Sequence, residues 1–146
     1  MNPSMCMNPQ NFVEDIKTPL LVIESSYDNY QVSSGTGISC ATTYHNCSAT
    51  DLTNIKAFRQ MVLKTLQQHI PKDSNSPYRR GLFVHSCDSH THLDYDKWRS
   101  PSISLGGKTI QKAIRDWYFE RSPVYEVDSS EVEPSACTCP SEDICV

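Results

Sequence analysis

The chain has 146 residues, 38% of them hydrophobic, and a formal net charge of -4. That is the size of one modest domain with a thin core. An acidic balance with no basic block argues against nucleic acid and against an anionic membrane surface. No apolar run approaches the roughly 20 residues of a membrane span, so no transmembrane helix is expected.

The first ten residues lack a charged n-region and an apolar h-region, so they do not read as a signal peptide. Seven cysteines and the sequon Asn46-Cys47-Ser48 nevertheless point to an oxidising, secreted context, with Asn46 the candidate glycosylation site. A sequence that has lost an N-terminal part reconciles the two, and the odd cysteine count fits that expectation. Residues 1–18 read as irregular, punctuated by Pro3, Pro9 and Pro19, with Met1, Met5 and Met7 expected to pack. Leu20 to Ile23 is a continuous apolar run between Pro19 and Ser25, which predicts a strand buried on both faces, as in a parallel sheet.

Residues 29–49 are rich in Ser, Thr and Gly and read as a long loop, with a Cys40–Cys47 disulfide as its expected staple. Ser48 and Asp51 resemble a capping box and open a helix over 50–70. Leu52, Ile55, Phe58, Val62, Leu66 and Ile70 form its apolar stripe, Pro71 stops it, and His69 in its last turn suits the helix dipole. A polar loop leads to a second buried strand over 82–86. Trp98 is expected to anchor the exit loop, and Pro101 and Gly106-Gly107 mark a break. Ile110, Ala113, Ile114 and Trp117 predict a second helix, and 124–127 a short strand. The division expected is a domain over 1–128 and a Cys- and Pro-rich irregular tail over 129–146. In that tail Cys137, Cys139 and Cys145 lack zinc-ribbon spacing, and Cys6 and Cys87 have no obvious partners.

Strand 20–26, helix 50–70 and strand 82–86 make a βαβ unit, so the two strands should lie parallel and adjacent. Asp28 and His90 then emerge at the same sheet edge, where open α/β sheets place their sites. A carboxylate beside an imidazole is the orienting half of a nucleophilic triad, and in α/β-hydrolases the acid precedes the histidine in the chain. The nucleophile should sit on a Gly-x-Ser-x-Gly elbow, and this sequence contains none. Each residue also has a plain reading: Asp28 as a turn residue or helix cap, His90 as an ordinary loop histidine, His85 as a packed core residue, His45 as a solvated one. Asp88, His90, His92 and Asp94 alternate at period two, which in an extended segment places all four on one face and suits Zn²⁺ or Mn²⁺.

The residues carry a family resemblance. Ser4 to Cys6, Pro9 to Asn11, Asp15 to Leu20, Ser26-Tyr27-Asp28, Gln31, Cys40, Cys47-Ser48 and Phe58-Arg59 resemble the plant pectin acetylesterases. So do Phe83, Ser86-Cys87, His90, Trp98, Lys108 to Ile110, Asp116 to Phe119 and Arg121. The animal carboxylesterase Notum is similar at greater distance. The resemblance implies the C-terminal part of an α/β-hydrolase-like parallel-sheet domain, incomplete in this chain. It also implies secretion to the cell wall and acetylated pectin as substrate. By the resemblance Asp28 matches the triad acid and His90 the base, Cys40 and Cys47 match a loop pair, and no cofactor or metal is required. Thr91-His92 stand where the family typically has Cys-Gln, Ser129 stands where it has Cys, and the loop between Gln31 and Cys40 is shorter. The expected function is therefore that of a pectin acetylesterase-like serine hydrolase fragment holding acid and base without a nucleophile, and inactive alone. The alternatives are a non-enzymatic truncated product that binds wall polysaccharide or a partner chain, and a small metal-binding module using Asp88, His90 and His92.

Overall fold

Two apolar runs build the sheet that positions everything else. Leu20–Ser25 forms strand β1 and Arg80–His85 forms β2, paired in parallel from Leu20 opposite Arg80 to Ser25 opposite His85. The computed structural model describes residues 8–72, 77–93 and 97–131. Residues Tyr125–Val127 form β5, which pairs in parallel with the other side of β2, so the sheet order is β1-β2-β5. The architecture is α/β, with a parallel sheet covered by helices, as a partial α/β-hydrolase-like domain requires.

The helix predicted over 50–70 is α2, Ala49–His69. It starts where the Ser48–Asp51 capping box satisfies both orphan N–H groups: Asp51 N donates to Ser48 Oγ at 3.2 Å and Ser48 N donates back to Asp51 Oδ2 at 3.0 Å. Leu63, Leu66 and Ile70 pack with Leu82, Val84, Leu20 and Val22 on one face of the sheet. On the other face α3, Ile110–Tyr118, packs Ala113 and Trp117 against Phe83, with Leu21, Ile23 and Trp98 at the margin. Gly81 has no side chain because the Trp117 ring comes too close: a Cβ there would lie 2.8 Å from it. Between β2 and α3 a hairpin of β3 (Ser104–Leu105) and β4 (Lys108–Thr109) turns at Gly106 and Gly107, with φ of 55° and 75°. Both central residues of a type I′ turn need positive φ, so the glycine pair read as a break is a hairpin turn.

Two expectations change. The strand at 20–23 is not buried on both faces: Leu20 to Ile23 are each half-buried, whereas Leu82, Phe83 and Val84 are fully buried. An apolar run reports a strand but not its place in the sheet, and among the described residues β1 is an edge. The segment 29–49 is not a plain loop. It opens with helix α1, Asn29–Thr36, followed by a 3₁₀ turn at Ser39–Thr42. Asp28 caps α1 by accepting from Gln31 N at 2.9 Å, and Gly37 ends it in the left-handed region at φ 72°. The Ser, Gly and Thr content masked a helix that its caps and its packing on α2 sustain. The Cys40–Cys47 disulfide does close the segment behind it. Cys6, Cys137, Cys139, Cys145, Asp94, the methionines Met1, Met5 and Met7 and most of the tail lie outside the described residues.

Candidate active site

The sequence after β1 runs Ser25-Ser26-Tyr27-Asp28, and hydrogen bonds lace it to the segment after β2. Ser25 Oγ donates to Cys87 O, Ser26 N donates to His85 O at 2.8 Å, and Ser26 Oγ donates to the same carbonyl at 3.0 Å. Tyr27 is buried, and its carbonyl accepts the Tyr44 hydroxyl at 3.0 Å, which ties the turn to the disulfide-closed segment. The two strand ends thus leave the sheet as one bonded unit.

From this platform Asp28 and His90 meet, with His90 Nδ1 2.8 Å from Asp28 Oδ2. Asp28 divides its carboxylate: Oδ1 takes the Gln31 N–H of α1 and Oδ2 takes the imidazole. The helix cap and the histidine contact thus share one carboxylate, an oxygen each. The Asp28 side chain is 5% exposed and that of His90 45%, so a buried anion orients a ring that reaches solvent. A carboxylate accepting from Nδ1 holds the proton on that nitrogen and leaves the basic lone pair on Nε2. The Tyr30 ring, carried on the first turn of α1, stacks on the His90 ring with centroids 4.9 Å apart and planes 30° apart.

Glu24, one register before the strand end, stands beside this pair. Burial raises its pKa above the usual carboxylate value and the Asp28 charge adds to the rise, while bonds from Ser25 N and the Gln31 amide oppose it. It borders a groove of about 600 Å³ along β1 and α2, lined by Val22, Phe58, Met61, Val62 and Leu66.

The other candidates separate. His90 turns to Asp28 while His92 turns inward, its Nε2 2.7 Å from Nε2 of His85. Thr91 between them has φ 58°, so the segment is not extended and the period-two face is lost. Among the described residues no three His, Cys, Asp or Glu side chains converge on a point that would hold a metal ion. His85 lies in the core as expected, and His45 is exposed. His69 faces Glu14 at 3.4 Å. Asn46 of the sequon is exposed. Cys87, whose partner is not obvious in the sequence, is disulfide-bonded. Sequence reasoning missed Tyr30, Glu24 and the His85–His92 contact. The spacing Asp28-x-x-Gln31, an N-cap signature, was the signal that would have placed Tyr30 on a helix facing His90.

Comparison with known proteins bears on what this pair does. A family model described as pectinacetylesterase matches residues 1–140. The chain is 29% identical to pectin acetylesterase 4 of Arabidopsis thaliana over 140 residues, covering 88% of this chain and 32% of that protein. It is 28% identical to pectin acetylesterase 11 of the same plant over 155 residues, covering 97% of this chain and 38% of the relative. Pectin acetylesterase 5 gives 29% over 139 residues, covering 86% and 31%. The chain thus spans about a third of the length of the curated relatives it matches. No solved structure matches it. With nearly its whole length inside one family model, this chain belongs to the pectinacetylesterase family.

Proposed function

We propose that the chain carries the acid–base half of a serine hydrolase site that removes acetyl groups from galacturonan in the plant cell wall. The observation that carries this reading is the 2.8 Å contact between His90 Nδ1 and Asp28 Oδ2 at adjoining strand ends. Asp28 fixes the imidazole with its proton on Nδ1, so Nε2 takes the proton of a serine hydroxyl as that oxygen attacks the acetyl carbonyl. The proton passes back to the departing sugar oxygen. Water then repeats both transfers and releases acetate. The buried Asp28 stabilises the imidazolium at each stage, and no metal or organic cofactor enters the scheme.

The serine and the oxyanion donors lie, in this reading, in sequence outside the chain, which has no Gly-x-Ser-x-Gly. The half-buried outer edge of β1, with the apolar groove beside it, supports a sheet that continues beyond β1 in the whole protein. The names of the relatives support acetylated pectin as the substrate. Disulfide-bonded Cys40, Cys47 and Cys87 support export to the cell wall.

The test is a chimera in which this chain replaces the stretch it matches in pectin acetylesterase 4. Acetate release from acetylated pectin is the readout. The chimera should be active, and His90→Ala should remove nearly all of that activity, about 10³-fold or more. A folded, active chimera indifferent to His90→Ala would overturn the reading. The isolated chain should release no acetate.

A further inference from the structure

We propose that His92 is a positioning residue: by accepting the Nε2 proton of buried His85 it closes the turn between them and holds His90 in register with Asp28. This rests on the reading of His90 as the base. One donor at this site is fixed. The Cys87 backbone amide donates to His85 Nδ1 at 3.1 Å. An amide N–H is only a donor, so His85 Nδ1 carries no proton and the neutral ring carries its proton on Nε2. That Nε2 lies 2.7 Å from His92 Nε2, which must therefore be the acceptor, with the His92 proton on Nδ1. Both tautomers follow from one amide.

Burial locks the arrangement. His85 is 2% exposed and His92 9%, with ring centroids 4.7 Å apart and planes near perpendicular. Burial depresses the pKa of His85 to about 3, the neighbouring His92 adds to the depression, and Asp128 opposes it. A proton added to His92 Nε2 would face another N–H, and one added to His85 Nδ1 would face the Cys87 amide. The bond thus exists only while both rings are neutral.

The turn needs this bond. Thr91, between His90 and His92, is β-branched and sits at φ 58°, a region such residues rarely enter. A conformation of that kind persists only where its surroundings over-determine it. On one side of Thr91 stands the Asp28–His90 contact, and on the other the His85–His92 contact. The second is anchored in the core at the end of β2, so it carries the position of the sheet to a ring that is otherwise half in solvent.

The test is NMR of the full chain with ¹⁵N-labelled histidine rings. In the unsubstituted protein at neutral pH, His85 should appear as the Nε2–H tautomer and His92 as the Nδ1–H tautomer. The Nδ1 proton of His90 should be seen as a slowly exchanging downfield signal. His92→Gln, whose amide oxygen reaches the same donor, should keep that signal. His92→Leu, with no acceptor, should lose it. If His92→Leu does not fold, His92→Asn serves, because its oxygen falls short of His85 and the signal should be lost there too. His85 found protonated on Nδ1, or an unchanged His90 signal in a folded Leu or Asn variant, would overturn the proposal. In the active chimera, His92→Leu should lower kcat and leave KM unchanged. A chimera without His90-dependent activity would sink the esterase reading alone, because the ring signals do not depend on it.

Discussion

Two polar clusters occupy the same edge of the sheet, and they differ in how many hydrogen bonds hold each central side chain. Around Arg59 four acceptors converge on one buried side chain. The guanidinium is 2% exposed, donates from Nε to Ser26 Oγ at 3.2 Å and from Nη2 to Ser86 Oγ, Asp128 O and Ser130 O, and lies 5.2 Å from the Tyr27 ring centroid. Those partners follow β1, β2 and β5, so one side chain pins all three strand ends. Around His90 one nitrogen is spent and the ring reaches solvent. A buried cation that serves four acceptors is scaffold, because moving it would break several bonds at once. A half-exposed imidazole with one ring nitrogen held by a buried carboxylate is the arrangement that the proposed proton transfers call for.

Replacing Arg59 should have the largest effect. Arg59→Met leaves two serine hydroxyls and two carbonyls without their donor, and should cost about 3 kcal/mol or more in urea unfolding. Arg59→Lys should recover part of that, since an ammonium lacks the planar fork that serves several partners at once. A loss below about 1 kcal/mol would mean that the closed cluster is not the scaffold.

Next comes a dependence on acid that the open cluster's support imposes. The His85 pKa falls from 6.5 to about 3 on folding, so the unfolded chain binds the extra proton across that interval. Stability from this group is complete above about pH 6.5 and is lost as pH falls toward 3, amounting to about 3 kcal/mol by about pH 4. His85→Asn should flatten that part of the profile. An equally steep profile in the variant would assign the acid sensitivity elsewhere.

The disulfide tests the flank of the open cluster. Cys40 and Cys47 are seven positions apart, and the segment they close sends Tyr44 to the Tyr27 carbonyl beside Asp28. Cys40→Ser with Cys47→Ser should cost about 2 kcal/mol by the chain-entropy relation. It should also raise amide exchange in α1 more than in α2 or α3. Uniform exchange across the three helices would show that the staple acts on the whole unit rather than on this flank.

The strands, the two longer helices and the meeting of Asp28 with His90 were legible because apolar periodicity and parallel topology are written in single residues. Leu82, Phe83 and Val84 declare a strand, and two parallel neighbours must end side by side. What escaped was context. Leu20 to Ile23 are as apolar as 82–84 yet sit, among the described residues, at an edge, since a strand's neighbours are not encoded in the strand itself. Helix α1 escaped because Ser, Gly and Thr are weak helix formers and its warrant lies in the Asp28 cap and the close approach of Gly35 to the Phe58 ring. The His85–His92 contact escaped because period two assumes extended backbone, and Thr91 departs from it.

The smallest expected effect divides the two duties of Asp28. Gln31 N donates to Oδ1 while His90 Nδ1 lies against Oδ2, so the cap and the histidine contact use different oxygens. Asp28→Ala loses both, and should cost about 1 kcal/mol from the cap alone. Asp28→Asn should keep the cap within about 0.5 kcal/mol, because an amide oxygen accepts the Gln31 N–H equally well. That choice sends the NH₂ group toward His90. Facing a donor, Nδ1 must become an acceptor, and the ring proton moves to Nε2, the nitrogen the proposed mechanism needs bare. Urea unfolding and ring ¹⁵N shifts on the same two variants separate the outcomes. If the Asn variant loses as much stability as the Ala variant, the cap depends on charge. If its His90 stays protonated on Nδ1, Asp28 does not set the tautomer, and the open cluster loses the feature that distinguishes it from the closed one.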